Sequence, residues 1–418
     1  MTLTVKGRLF TPHGLMEGCV RISEGWIEEV GRELRPEGEM LDFGGKNKVI
    51  LPGLIDMHVH LRDFRLAYKE DFRTGTRAAA KGGYTVVVDM PNTLPKVNTL
   101  SVLRRREELA KRRAVVDFGL YFGVPDRKEE LRREVAKKCL GLKVYLPEEG
   151  EGEVLWEALR FAAREDLLVV VHAEDPSFFR GGERPPEAEA AGIRRMAGWS
   201  LKEGFRLHIT HLSSRLGLEE LNRWKGRIRL SADTCPHYLL LTYRGDPLTR
   251  VFPPLRQAWD RKALLAGVRE GKVEAITSDH APHRLEEKME PDGPGGFPGL
   301  ETELPLLLTM VKKGRLGLGE VVRACSQAPA SLLGLPAGRI ERGCVGNLTV
   351  VDLGESYRID PSEFESKAKY SPFQGMRVTG KVLCTIVRGQ PVFLEGTVEE
   401  RRGTNARSYR EAGQAAFA

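Results

Sequence analysis

His58 and His60 stand one residue apart in the run Ile55-Asp56-Met57-His58-Val59-His60, with Arg62 two positions further on. Alternate side chains of an extended strand share a face, so the two imidazoles point the same way and can hold one metal ion from a strand end. An imidazole pair alone binds metal weakly. Further ligand candidates follow at the ends of later apolar runs, in the order Lys143, His172, His211 and Asp279, the last within Ser278-Asp279-His280-Ala281-Pro282-His283. His58, His60 and Asp279 form a set for one ion, and His172 with His211 a set for a second. Two metals sharing a hydroxide supply a nucleophile stronger than water and stabilise an oxyanion, which is what amide hydrolysis at neutral pH demands. The ordered series reads as a metal-dependent hydrolase. His13, His208 and His237 fit no such strand end and read as structural.

Lys143 has two readings. An ammonium ion cannot ligate, and a lysine at a barrel rim can simply extend its charged end to water. In a field of two cations its pKa falls instead, and a neutral amine adds carbon dioxide to give a carbamate, an anionic oxygen ligand able to bridge both ions.

From residue 50 onward, short β-branched segments alternate with amphipathic helical ones. Eight strand candidates end near His60, Asn92, Gly123, Leu146, Ala173, Leu212, Asp233 and Asp279, separated by helical stretches such as 72–81, 154–164, 187–202 and 262–269. That alternation predicts an α/β fold, a (β/α)8 TIM-like barrel over residues 53–339, whose strand ends build the active site. Residues 1–52 and 340–418 read as short alternating strands, neither piece long enough to bury a sheet alone. They predict one small β-sandwich built from both ends of the chain. The stretch Arg401–Ala418 reads as an arm or a partly disordered tail.

Composition excludes other classes. The 418 residues carry 65 Lys and Arg against 58 Asp and Glu, a formal charge of +7. The densest basic run, Arg104–Arg106 and Lys111–Arg113, encloses Glu107 and Glu108 and reads as a solvated, ion-paired helix face, so no nucleic-acid partner is expected. The excess charge favours a small anionic substrate. Neither a Walker loop nor a GxGxxG after a strand appears. No apolar run approaches about 18 residues and no signal peptide is evident, so the expected compartment is the cytoplasm, away from membranes. Six scattered cysteines without CxxC spacing read as free thiols.

The segments Gly53-Leu54-Ile55-Asp56-Met57-His58-Val59-His60-Leu61-Arg62, Tyr68-Lys69-Glu70-Asp71-Phe72, Met90-Pro91-Asn92-Thr93, Gly141-Leu142-Lys143-Val144-Tyr145-Leu146, His172-Ala173-Glu174, Ser278–His283 and Gly296–Thr302 together resemble the dihydroorotases, within the cyclic amidohydrolases. The resemblance runs through nearly the whole chain. It implies a reversible hydrolysis of L-dihydroorotate to N-carbamoyl-L-aspartate in pyrimidine biosynthesis, with two zinc ions bridged by a carboxylated Lys143 and a hydroxide. It further implies that Asp279 ligates and acts as general base and acid, that Arg62, Asn92 and His283 grip the substrate carboxylate, and that Pro298 and Gly299 contact the ring through backbone. A homodimer is implied, and aspartate transcarbamoylase is a partner known for the family. The sequence departs at Asp63-Phe64-Arg65, where the family usually reads EPG, and at Pro147–Gly152, which replaces a threonine-containing mobile segment. Asp233 and Cys235 also differ from the usual residues there, and neither is assigned a metal.

Two rivals stand beside this reading. A hydantoinase, dihydropyrimidinase or allantoinase would need no carboxylate clamp, and a non-catalytic homologue partnering aspartate transcarbamoylase would be free to lose ligands that are all present here.

Overall fold

Ten residues of mostly alternating burial open the chain as β1 (Thr2–Thr11), which turns at Pro12-His13 into an antiparallel partner, β2 (Gly14–Ser23). The computed structural model describes residues 2–35, 37–243 and 245–416. β3 (Trp26–Gly31) extends the ladder, β4 (Glu39–Asp42) lies parallel to β1, and β5 (Lys48–Pro52) follows.

The strand candidate ending near His60, which reads as one run from Val49 onward, is in fact two strands. β5 stays with the first sheet, and β6 (Leu54–Val59) begins the barrel. Gly53 makes the change of sheet: its N–H donates to the Asn347 carbonyl at 2.8 Å, and a Cβ there would meet Thr85 Oγ1 at 2.5 Å.

After β6 come β7 (Tyr84–Asp89), β8 (Asp117–Gly123), β9 (Gly141–Tyr145), β10 (Leu168–His172), β11 (Arg206–Ile209), β12 (Leu230–Thr234) and β13 (Ala275–Ile276). They lie side by side in chain order with every neighbouring pair parallel. A parallel bridge from Val59 to His280, with the His60 N–H on the His280 carbonyl at 2.8 Å, brings the eighth strand back to the first. Both faces of these strands are covered, which is why they read as near-continuous apolar runs. In β10, Val169 and Val171 join the core shared with the helices, whereas Leu168 and Val170 join a separate cluster with Val86, Val88 and Tyr121. His172 continues the second face, and Lys143 in β9 obeys the same alternation.

The helices of the barrel begin where their caps dictate. Asp71 accepts the Thr74 N–H at 2.9 Å to start the helix Phe72–Lys81, and Thr99 accepts from Val102 at 3.2 Å to start Leu100–Arg113. The solvated reading of this second, basic helix holds for Lys111, which pairs with Glu107 and Glu108, but fails for Arg106. Arg106 is fully buried and forms an ion pair with Asp89 at 2.7 Å.

β14 (Leu348–Arg358), β15 (Arg377–Val387), β16 (Gln390–Leu394) and β17 (Thr397–Val398) return to the first sheet. β14 pairs antiparallel with β5 from Leu348↔Pro52 to Asp352↔Lys48, so both ends of the chain form one nine-stranded sheet, eight strands in one hydrogen-bonded path and β4 branching from β1, around a core of Val5, Leu9, Val20, Ile22, Val350 and Ile386. The segment after Arg401 is not a loose arm over its described residues. Asn405 bridges to Phe118, Tyr409 Oη donates to Asp117, and Ala406 and Tyr409 are buried in the cluster under the barrel. Small polar residues hid this docking, because its anchor is a buried carboxylate and not an apolar stripe.

Candidate metal centre and substrate cleft

The strand ends converge on a cavity of about 420 Å³ lined by His58, His60, Lys143, His172, His211 and Asp279 together with Arg62, Asn92 and His283. Pro298 and Gly299 are buried but do not line it; Pro294, Gly295 and Gly296 of the same loop do. Gly299 instead donates its N–H to His280 Nδ1 at 3.2 Å.

Asp279 Oδ1 lies 3.4 Å from both His58 Nε2 and His60 Nε2, and these three residues offer ligand atoms within 4.8 Å of one another. Beside them, with the His211 ring 5.2 Å from that of His58, His172 Nδ1 faces His211 Nε2 at 3.1 Å. Burial holds His58, His172 and His211 well below the ordinary histidine range, with the Lys143 charge adding to it, so all three are neutral and carry lone pairs for a metal. Burial alone would raise Asp279, but the His60 hydrogen bond, with the other imidazoles around it, outweighs that and brings the carboxyl down to about 2. Burial lowers the Lys143 amine to about 8, against the pull of Asp233 and Asp279.

Two ligand candidates sit in backbone conformations that L residues avoid: His211 at φ +42° and Asp279 at φ +46°. Buried carboxylates hold the backbone at or beside them. Asp233 Oδ1 accepts the His211 N–H at 2.6 Å, and Asp56 accepts the N–H groups of His58 and Ser278 at 2.9 and 3.1 Å. Arg62, at φ +50°, is held by Arg106, which donates from Nη1 to its carbonyl at 2.9 Å.

Residues 49–392 match the amidohydrolase family. The chain belongs to that family. It is 37% identical over 406 residues to the dihydroorotase of Pyrococcus furiosus, covering 95% of this chain and 94% of the relative. It is equally 37% identical over 414 residues to the dihydroorotase of Methanothermobacter thermautotrophicus, covering 92% and 93%. Among solved structures, the L-hydantoinase (dihydropyrimidinase) from Arthrobacter aurescens matches with a TM-score of 0.90 at 29% identity, over 96% of this chain and 99% of that one.

Amidohydrolases are metal-dependent, and the donor set of this amidohydrolase fits: neutral buried imidazoles, an ionised aspartate and open ligand atoms facing one cavity. The ring nitrogens that face away define which atoms are free. His60 Nδ1 contacts Asn92 Oδ1 at 2.8 Å, leaving Nε2 for a metal and the Asn92 amide N–H groups for a substrate. His172 Nε2 contacts Glu174 Oε2 at 2.7 Å, leaving Nδ1.

Several residues of the amidohydrolase site escaped the sequence reading. Asp56 and Glu174 each stand two positions from a ligand candidate, so strand alternation was an available signal. Asp233 is not a member of the His58–His60–Asp279 group, but it accepts from the His211 backbone and contacts His208 Nε2 at 2.9 Å. His208 is thereby structural, as is His237, packed against Phe297 and Tyr238.

Proposed function

We propose that this amidohydrolase is a dihydroorotase, opening the ring of L-dihydroorotate to N-carbamoyl-L-aspartate and closing it in reverse. The observation that carries the reading is that Arg62, Asn92 and His283 share one cavity with the whole ligand set. Dihydroorotate differs from dihydrouracil by a carboxylate, and a guanidinium, an amide and an imidazole are the donors that recognise one. The dihydroorotase relatives support the same choice over the hydantoinase alternative.

His58, His60 and Asp279 would hold one zinc ion, His172 and His211 the other, with carboxylated Lys143 between them. When bound, the pair supplies a water-derived nucleophile and polarises the amide carbonyl. The depressed amine of Lys143 supports carbamate formation, since its neutral form is the one that adds carbon dioxide. Asp279, ionised in its resting form, takes the proton of the attacking water on a carboxylate oxygen and delivers it to the departing ring nitrogen. Arg62 and His283 fix the substrate carboxylate while Asn92 donates from its amide, which sets the scissile bond over Asp279. Hydrolysis releases a new carboxylate and a proton, so low pH favours ring closure and high pH favours opening.

Purified protein loaded with zinc should turn over L-dihydroorotate with kcat/KM at least about 10²-fold above that for dihydrouracil or hydantoin. Comparable turnover of the neutral rings would move the reading to a hydantoinase. In Asp279→Asn, ring opening should fall by about 10²–10⁴-fold while circular dichroism stays native.

A further inference from the structure

His283 is buried between two cations. Arg62 Nη2 lies 3.0 Å from its Nε2, and Lys69 Nζ lies 3.1 Å from its Nδ1. Burial, then the charges of Arg62 and Lys69, push the imidazole down to about 2, so the ring is neutral and has one N–H and one lone pair. Both neighbours are pure donors. A single lone pair can serve only one of them.

The surroundings decide which. Lys69 is anchored behind the ring by Glu287 Oε2 at 2.9 Å, and Tyr68 Oη donates to the other oxygen of that carboxylate at 3.1 Å. Lys69 does not line the cavity, and the nearest carboxylate oxygen, Glu287 Oε2, lies 3.9 Å from Nδ1, beyond hydrogen-bond reach, so a proton on Nδ1 would face the ammonium at 3.1 Å. Arg62 and His283 do line it. A proton on Nε2 faces the guanidinium across 3.0 Å at an open wall, where one carboxylate satisfies both donors at once.

We propose that Lys69 is a positioning residue: by donating to Nδ1 it fixes His283 with its proton on Nε2, so that Nε2–H and the Arg62 guanidinium form a paired donor site for the substrate carboxylate. This rests on the reading of Arg62, Asn92 and His283 as the carboxylate site. A neutral ring leaves the two donors facing each other unsatisfied, so the arrangement selects for an anionic substrate.

Nitrogen-15 NMR of histidine-labelled, zinc-loaded enzyme, with the His283 signals assigned by their loss in His283→Asn, reads the tautomer directly. The native ring should be protonated at Nε2 with Nδ1 as an acceptor. Lys69→Met should mix the tautomers and raise KM for L-dihydroorotate about tenfold with kcat changed less than about twofold, and Lys69→Arg should restore both. A native Nδ1–H tautomer, or a Lys69→Met enzyme with unchanged KM, overturns the role of Lys69. If Arg62→Met also leaves dihydroorotate kinetics unchanged, the carboxylate site itself is misassigned and the role of Lys69 falls with it. A large Arg62 effect beside a native-like Lys69→Met enzyme removes Lys69 alone.

Discussion

His172 Nε2 and Glu174 Oε2 face each other at 2.7 Å, and that contact decides which nitrogen of His172 is left to a metal. With Nε2–H donated to the carboxylate, Nδ1 is deprotonated and turned toward His211. Glu174 is in turn gripped by Arg184 at 2.8 Å, whose guanidinium lies 4.2 Å from the centre of the Phe252 ring on the cavity wall. Carboxylates that orient a ligating imidazole typically change metal affinity by about 10–100-fold when lost. Glu174→Ala should therefore release zinc to a competing chelator at a roughly 10–100-fold lower chelator concentration, with the remaining fold intact. Unchanged metal affinity would leave Glu174 as a structural partner of Arg184 only.

Among the described residues Lys143 Nζ has one hydrogen-bond partner, Thr210 Oγ1 at 3.4 Å, and it lies on the lumen side of β9 beside the two sets of candidate ligands. His172 and His211 alone offer too few ligands to hold a second ion. Lys143→Ala should bind fewer than two zinc ions per chain by elemental analysis and lose ring-opening activity. Short carboxylic acids should restore part of both by filling the vacated position. Two tightly held ions in the variant without such acids would rule out the bridge.

Glu301 gives a pH dependence away from the metal centre. Burial raises its carboxyl from 4.5 to about 7, in spite of Lys81 and the N–H groups of Glu365 and Ser366. A raised acid binds its proton more tightly in the folded chain, so its contribution to stability is present below the unfolded value and is lost as pH climbs through the folded one. At about 1.4 kcal/mol per pH unit over the interval from 4.5 to about 7, the loss is roughly 3 kcal/mol. Glu301→Gln carries no titrating group. The stability of the native chain relative to this variant, from denaturant unfolding, should drop by that amount between about pH 4.5 and about pH 8. A difference that stays flat across the range would show that the folded pKa is not raised.

The barrel was legible because strands covered on both faces leave long β-branched runs, and the candidate ligands that share its cavity were legible because they stand at the ends of those runs. His58 and His60 announce themselves by alternation, whereas Glu174 and Asp56 obey the same alternation but carry an ordinary acidic side chain that sequence cannot tell from a solvated one. Arg106 illustrates the opposite failure. Within a run of surface-like arginines, only the fold reveals that it reaches inward to Asp89 and the Arg62 carbonyl. The docking of Tyr409 on Asp117 was hidden for a similar reason, since buried hydrogen bonds to one carboxylate leave no periodic trace. Lys69 is 214 residues from His283, and nothing local to either predicts their contact.

Arg62 carries the sharpest test of substrate choice. Its guanidinium is buried, its backbone is held in the left-handed region by Arg106, and its free edge faces the cavity beside His283. Replacing it by Met preserves much of the side-chain volume and removes the charge-assisted donors. The dihydroorotate carboxylate is then underpaired, at a cost of about 1.5–3 kcal/mol or more, roughly ten- to a hundred-fold or more in kcat/KM. In the proposed mechanism Asp279 and the metal ligands act on the amide and not on the carboxylate, so turnover of dihydrouracil and hydantoin, expected to be low in the native protein, should change little. Measuring both substrate classes on both proteins separates the readings. An Arg62→Met loss confined to dihydroorotate supports the carboxylate clamp, and a loss of equal size on neutral rings would instead make Arg62 a support for the metal-bearing strand end.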